Sequence, residues 1–160
     1  MPAGAITAST RYFRPGLTHV SYLPACANIA SPTRAELNAG TDLSPEISDA
    51  NGWQVESNFL DVPDLGSTFT AKLAGRTAAA DSSLTFYASS NSVDVRALLP
   101  RGTSGFIVWL DESDIAGRKC DVFPVTVGSA PKDRSLEDPA KIVINFACTR
   151  VPAENVTIPA

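Results

Sequence analysis

Apolar and polar positions alternate with a period of two in several short stretches of the chain, the spacing of strands whose successive side chains point to opposite faces. In residues 53–61, Trp53, Val55 and Phe59 share one face while Gln54, Glu56 and Asn58 share the other, which predicts a half-buried strand with a wet, mildly acidic side. Leu84, Phe86 and Ala88 alternate with Ser83, Thr85 and Tyr87. Ile142, Ile144, Phe146 and Cys148 alternate against Lys141 and Asn145, and residues 121–127 read as a further strand. Short strands are expected at 11–13 and 18–23. Residues 62–81 read as a long hairpin or loop around Phe69, Ala71 and Leu73, with Lys72 and Arg76 beside them, and 128–139 as a hairpin loop.

One stretch breaks the alternation. Residues 105–110 are almost wholly apolar, Phe106-Ile107-Val108-Trp109-Leu110, so both faces of this strand need cover. The core supplies one side, and a helix or a neighbouring subunit the other. Phe106, Val108 and Trp109 are therefore candidates for a subunit interface, because an exposed apolar strand marks a contact surface.

Two segments carry helical signals. Thr33 with Glu36 three residues later forms a capping-box pattern, and Gly40 suits a left-handed stop, which predicts a turn or two of helix. In the second, Asn91-Ser92-Val93-Asp94 offers an N-cap. Val95, Leu98 and Leu99 share one face, and Pro100 and Gly102 end the element. That face should pack on a sheet, with Leu98 a core position. The elements together predict a mainly β domain over 1–160, a β-sandwich or rolled barrel with one flanking α-helix. Residues 1–10 are small and weakly patterned and read as an arm. Residues 151–160 read as a tail, and both ends are expected to be mobile in the isolated subunit and to bridge neighbours.

Composition narrows the function. Charged residues are only 19% of the chain, below the usual ~25%, which points to surface that becomes interface. A net charge of −4 without a basic run argues against a protein that grips phosphates. No stretch approaches the ~20 apolar residues that span a bilayer, and no leader pattern opens the chain. A soluble protein made in a cytoplasm is expected.

Candidate chemistry is sparse. Cys26, Cys120 and Cys148 are scattered, with no Cys-x-x-Cys pair, and read as free, mostly buried thiols. His19 is the only imidazole, too few for a metal cage or for a supported nucleophile. Gly102-Thr103-Ser104-Gly105 lacks the Gly-x-Ser-x-Gly spacing and reads as a loop. Phosphate-binding glycine loops are absent. Asn155-Val156-Thr157 matches the glycosylation sequon but has no secretory context. Glu56, Asp61 and Asp64 imitate paired catalytic acids, yet such carboxylates on a wet strand are ordinarily solvated charge. No catalytic residue, metal ligand or cofactor is expected. The rivals from other classes are a small soluble enzyme and a monomeric ligand-binding β-barrel of lipocalin type, both of which would purify as monomers.

Five segments carry a resemblance by their order: 32–43 (Pro-Thr-Arg-Ala-Glu-Leu-Asn-Ala-Gly-Thr-Asp-Leu), 81–87 (Asp-Ser-Ser-Leu-Thr-Phe-Tyr), 94–103 (Asp-Val-Arg-Ala-Leu-Leu-Pro-Arg-Gly-Thr), 121–127 (Asp-Val-Phe-Pro-Val-Thr-Val) and 152–159 (Pro-Ala-Glu-Asn-Val-Thr-Ile-Pro). From about residue 20 onward the chain resembles the major tail tube proteins of long-tailed bacteriophages, especially those infecting actinobacteria. The resemblance implies a tube-type β-sandwich or rolled barrel with one flanking helix, a fold shared with contractile injection systems. It implies six copies joined in a ring, rings stacked into a tube, and DNA passing through without specific binding. It further implies tape measure, tail terminator and tail tip proteins as partners, no membrane, and a place in the virion tail after assembly in the host cytoplasm. On that reading Glu56 and Asp61, with Asp64 beyond the strand, line the channel, since like charge keeps DNA off a wall that must not hold phosphates. An outer solvated face is the alternative for the same residues.

Overall fold

The computed structural model describes residues 4–5, 7–89 and 94–160. In chain order these form β1 (His19–Leu23), α1 (Arg34–Asn38), β2 (Thr41–Asp42), a 3-10 turn (Ser44–Glu46) and β3 (Ile47–Asn51). There follow β4 (Val55–Val62), β5 (Ala71–Ala79), β6 (Ser82–Tyr87), α2 (Val95–Leu98), β7 (Ser104–Leu110), β8 (Lys119–Ser129), β9 (Lys141–Cys148) and β10 (Ala153–Thr157). All pairings are antiparallel: β2-β1-β7-β8-β9-β6-β3 form one sheet, β10 joins it on β8, and β4-β5 form a separate ribbon. β8 is the spine. Its C-terminal half pairs with β9 from Val125 and its N-terminal half with β10 at Lys119, Cys120 and Val122.

Both faces of this sheet are buried, and β7 shows why. Ile107 and Trp109 turn to one core, shared with Val20, Leu84, Phe86, Leu99, Phe123 and Ile144. Phe106, Val108 and Leu110 turn to a second, shared with Leu23, Leu37, Cys120, Val122, Val156 and Ile158. The apolar run is therefore covered on both sides inside one subunit. Val108 has no exposed surface at all, so it is a core residue and the interface expected of it is corrected. Phe106 and Trp109 keep part of their surface exposed.

The second core is closed by α1, through Leu37, and by the C-terminal segment, through Val156 and Ile158. The tail expected to be mobile is thus a strand, fixed further by Ile158 N–H to Arg118 O (2.8 Å). Its alternation is concealed by a bulge: pairing shifts between Ala153 and Val156, Asn155 stands at φ 57°, and its N–H donates to Asp121 Oδ1 (2.7 Å). At the other end, 11–13 form no strand and are exposed.

The α1 capping box is present as read, with Thr33 Oγ1 accepting from Glu36 N–H and Glu36 accepting from Thr33 N–H (2.7 Å). Gly40 is no left-handed stop. Space selects it, since a Cβ there would stand 2.9 Å from Leu23 Cδ1 and 3.1 Å from Leu37 O. α2 is a single turn capped by Asp94, which accepts from Arg96 N–H (3.1 Å) and Ala97 N–H (3.3 Å). The other proposed cap residues, Asn91, Ser92 and Val93, lie outside the described residues. With so short a helix only the i, i+4 pair Val95 and Leu99 is buried, and Leu98 is half-buried. Among the described residues no helix is long and apolar enough to cross a membrane.

Candidate functional site: the projecting hairpin

β4 and β5 leave the sheet at a rigid root. Gly52 has φ +79°, and any Cβ there would collide with the Asp81 carbonyl oxygen, so the chain turns closely over β6 only with glycine. Ser82 Oγ–H donates to Gly52 O (3.0 Å), Trp53 Nε1–H to Ser83 O (3.0 Å) and Ala80 N–H to Gln54 O (3.0 Å). The Trp53 ring packs against Trp109, Phe123 and Phe146 at centroid distances of 5.8, 5.3 and 5.4 Å. Trp53 therefore belongs to the body, although its alternation groups it with Val55 and Phe59.

Beyond this root the ribbon runs free. An eight-residue strand extends about 27 Å at ~3.4 Å per residue. The half-burial expected over residues 53–61 holds only at the start, at Trp53 and Val55, and the rest of β4 is exposed. Ser57 pairs with Thr77 and Phe59 with Ala74, so the extra residue of the irregularity lies in β5, near Gly75. β4 alternates without interruption. Glu56, Asn58, Leu60 and Val62 share one face, and Val55, Ser57, Phe59 and Asp61 the other.

This parity separates the candidate acids. Glu56 is on the Leu60 face and receives the Gln54 amide (2.6 Å), whereas Asp61 is on the Phe59 face. Asp61 pairs across the ribbon with Lys72 at 3.3 Å, both side chains over 60% exposed. Asp64 lies in the connecting loop, where Oδ1 accepts from Gly66 N–H (2.8 Å) and shapes the turn.

The more telling residues are the apolar ones of the ribbon, of which the alternation placed Phe59, Phe69, Ala71 and Leu73 but not Leu60, Val62 or Leu65. Leu60 faces Leu73 across the ribbon and Val62 faces Ala71. Leu60, Val62 and Leu73 are 56%, 40% and 60% exposed, Phe59 62%, and at the tip Leu65 is 108% and Phe69 76% exposed. Leu60, Val62 and Leu73 gather on one face and Phe59 on the other, and exposed apolar groups of this kind mark a contact surface. A two-stranded ribbon is marginal by itself, and both its outer edges offer unpaired backbone groups to another strand. The signal in the sequence was a Gly/Ala-rich β5, with Leu60 and Val62 continuing the β4 face that carries Glu56 and Asn58.

Elsewhere the polar groups are placed for structure. His19 Nδ1 is 3.5 Å from Asp42 Oδ2. Burial pushes the Asp42 carboxyl up, but the Ser44 hydroxyl and N–H, with His19, outweigh it and hold it below its ordinary value. Burial, followed by the nearby Asp121 and Asp114 carboxylates, pushes the Cys120 thiol up to about 11, and burial also raises Cys26 and Cys148, which disfavours the thiolate form at each. Among the described residues no group of three or more His, Cys, Asp or Glu is gathered as a metal cage.

A family model described as "Phage tail tube protein" matches residues 7–160. No curated protein matches the chain in sequence. Among solved structures, the sheath/tube terminator of the PVC extracellular contractile injection system is similar with a TM-score of 0.62 at 11% identity, over 92% of this chain and 99% of that one. The tail tube of SPP1 is similar with a TM-score of 0.57 at 11% identity, over 89% and 79%. A chain in the tail of a gene transfer agent particle gives 0.56 at 12%, over 91% and 98%. At these identities the likeness is one of fold.

Proposed function

We propose, from the premise that this chain belongs to the phage tail tube protein family, that its sheet forms the wall of a ring and its hairpin joins one copy to the next. The protein is a structural subunit of a phage tail tube, and the family is a structural one rather than an enzyme family. The observation that carries the division of labour is the ribbon itself, which is rigidly rooted, stripped of core contacts and apolar at Leu60, Val62, Leu73 and Phe69. Burying those side chains against other copies supplies the contact free energy that the isolated subunit leaves unused, at about 1.5–3 kcal/mol per large apolar side chain.

Six copies per ring is the stoichiometry we adopt, since the gene transfer agent tail with a similar chain was computed with C6 symmetry. Rings stack into a tube through which DNA passes unbound, consistent with the net charge of −4. Tape measure, terminator and tip proteins complete the partner set. For the terminator, support comes from the PVC protein, a sheath/tube terminator with a similar fold. The subunit catalyses nothing, and it assembles in the host cytoplasm before residing in the virion tail.

The channel assignment narrows with strand parity. Glu56 and Asp61 are on opposite faces, so one ribbon surface holds only one of them. We assign to the channel only the tip end of the Asp61 face, with Asp64 at the adjoining turn, and leave Phe59, nearer the root on that face, to the contact between copies; Leu60, Val62 and Leu73 on the Glu56 face call for apolar cover as well. Phe106, with the Arg150 guanidinium 5.7 Å from its ring centre, and Trp109 keep the interface role that Val108 loses.

Electron microscopy of concentrated purified protein tests the reading. Rings or tubes are expected, and monomers alone from micromolar to millimolar protein would refute it. For the channel, Asp61→Lys should slow DNA ejection from intact virions at low salt, where phosphate attraction is greatest, and Glu56→Lys should not. Equal ejection by both variants and the wild type would remove Asp61 from the channel.

A further inference from the structure

The ribbon meets the body through two short crossings, 52–54 from β3 into β4 and 80–81 from β5 into β6. Backbone joins them to each other, since Ala80 N–H donates to Gln54 O (3.0 Å) and Gly52 lies against the Asp81 carbonyl. The first crossing has its own anchor in the body. Trp53 packs its ring on Phe123 and Phe146 and donates its Nε1–H to Ser83 O (3.0 Å). The second crossing has no such side chain. Ala80 offers only a methyl group, and Asp81 is exposed and makes no ion pair or side-chain hydrogen bond with the described residues.

Ser82, the first residue of β6, supplies what the second crossing lacks. Its hydroxyl is placed to donate to both Gly52 O (3.0 Å) and Ala80 O (3.1 Å), so one proton is shared between the two crossings. At 3% exposure it is, among the described residues, the buried hydrophilic one, and a hydroxyl is costly to bury without such bonds. Around the root there is room for movement. A cleft of about 360 Å³ separates Val55, Thr77 and Ala79 at the ribbon base from the 148–152 connector. Another of about 490 Å³ runs past Asp81 and Ser82 to Asn145 and Ala147.

We propose that the Ser82 hydroxyl is a latch that fixes the angle of the ribbon to the body, and that without it the ribbon is free to tilt about its Trp53 anchor. Ser82 is thus a positioning residue, acting through the ribbon. A contact element held in its bound orientation beforehand loses less freedom on association, so the latch lowers the concentration at which copies join. That consequence rests on the reading of the ribbon as the joining element, whereas the latch itself can be tested on the unassembled subunit.

Two variants remove the donor in different ways: Ser82→Ala deletes it, and Ser82→Cys keeps a side chain of similar shape with only a weak donor. The Ala80 amide donates to Gln54 and not to Ser82, so its hydrogen exchange reads opening of the crossing. In dilute protein that exchange should become about tenfold faster in both variants, the effect of one ordinary hydrogen bond on local opening, with the amides of β7 and β8 unchanged. The thermal midpoint should fall by no more than about 4 °C. The lowest protein concentration that gives rings or tubes in the electron microscope should rise about tenfold. Unchanged exchange at Ala80 would overturn the latch. So would a fall in midpoint of about 10 °C or more, which would make Ser82 a support of the core. Faster exchange with an unchanged assembly threshold would overturn its part in association. If the wild type itself forms no rings or tubes, the assembly reading fails, and exchange at Ala80 still decides the latch.

Discussion

Phe86 and Phe59 are the same side chain on antiparallel strands of one small protein, yet Phe86 has no exposed surface and Phe59 is 62% exposed. Around Phe86 every neighbouring strand contributes an apolar face to a common core, so its burial is realised when one chain folds. Around Phe59 only a second strand is present, and the ribbon has no third layer to press against. On the proposed function, the difference separates free energy spent in folding from free energy left for association, with the contact element outside the core. The ribbon can keep apolar residues on both faces because its fixed root, Gly52 and Trp53, decouples it from the stability of the body.

The comparison is broken most sharply by truncating the two phenylalanines. Phe86→Ala should cost about 3–5 kcal/mol, and Phe59→Ala under about 0.5 kcal/mol, both from urea denaturation of the unassembled subunit. A large cost at Phe59 would mean that the ribbon is packed on the body. Within the body, Leu99→Ala should fall in the range of about 2–5 kcal/mol for an emptied leucine site. Leu98→Ala should cost clearly less, because the one-turn α2 leaves that side chain half-buried; equal costs would restore Leu98 as a core position.

Acid should act on the body through Asp42, whose carboxyl is held below its ordinary value in the folded state. A depressed carboxyl adds stability above its unfolded value and loses it as pH falls through the folded one. The urea midpoint should therefore drop below about pH 4, and Asp42→Asn should flatten that part of the profile. An unchanged profile in the variant would remove Asp42 from the acid response. The smallest effect belongs to the ribbon: Asp61→Ala should change subunit stability by about 0–0.5 kcal/mol, since its pair with Lys72 is solvent-exposed. A larger loss would show that the pair holds the ribbon together.

The regular parts of this fold were legible in the sequence because local pattern and tertiary environment agree there. β6 and β9 alternate cleanly, with Leu84, Phe86, Ile142, Ile144 and Phe146 all on the core side. The Thr33 and Glu36 box names the start of α1. β2 and β3 are short and flanked by Pro45 and Gly52, and the Asn155 bulge interrupts β10, so pattern alone did not find them. Nor could alternation say which strands leave the body. Val55 and Phe59 repeat with the spacing of a buried face, and only the missing third layer exposes them. Val108 shows the reverse limit: an apolar run implies two covers, but whether the second comes from the same chain or a neighbour depended on a C-terminal strand hidden by its bulge.

On the proposed function the ribbon serves association while the body folds alone. The most direct test of this division is negative-stain electron microscopy of wild type beside a Leu60→Asp, Leu73→Asp double variant, each also followed by thermal melting of the dilute subunit. Tubes or rings are expected from the wild type and none from the variant, with melting curves that coincide. Tubes from both proteins, or a variant whose subunit melts well below the wild type, would contradict it.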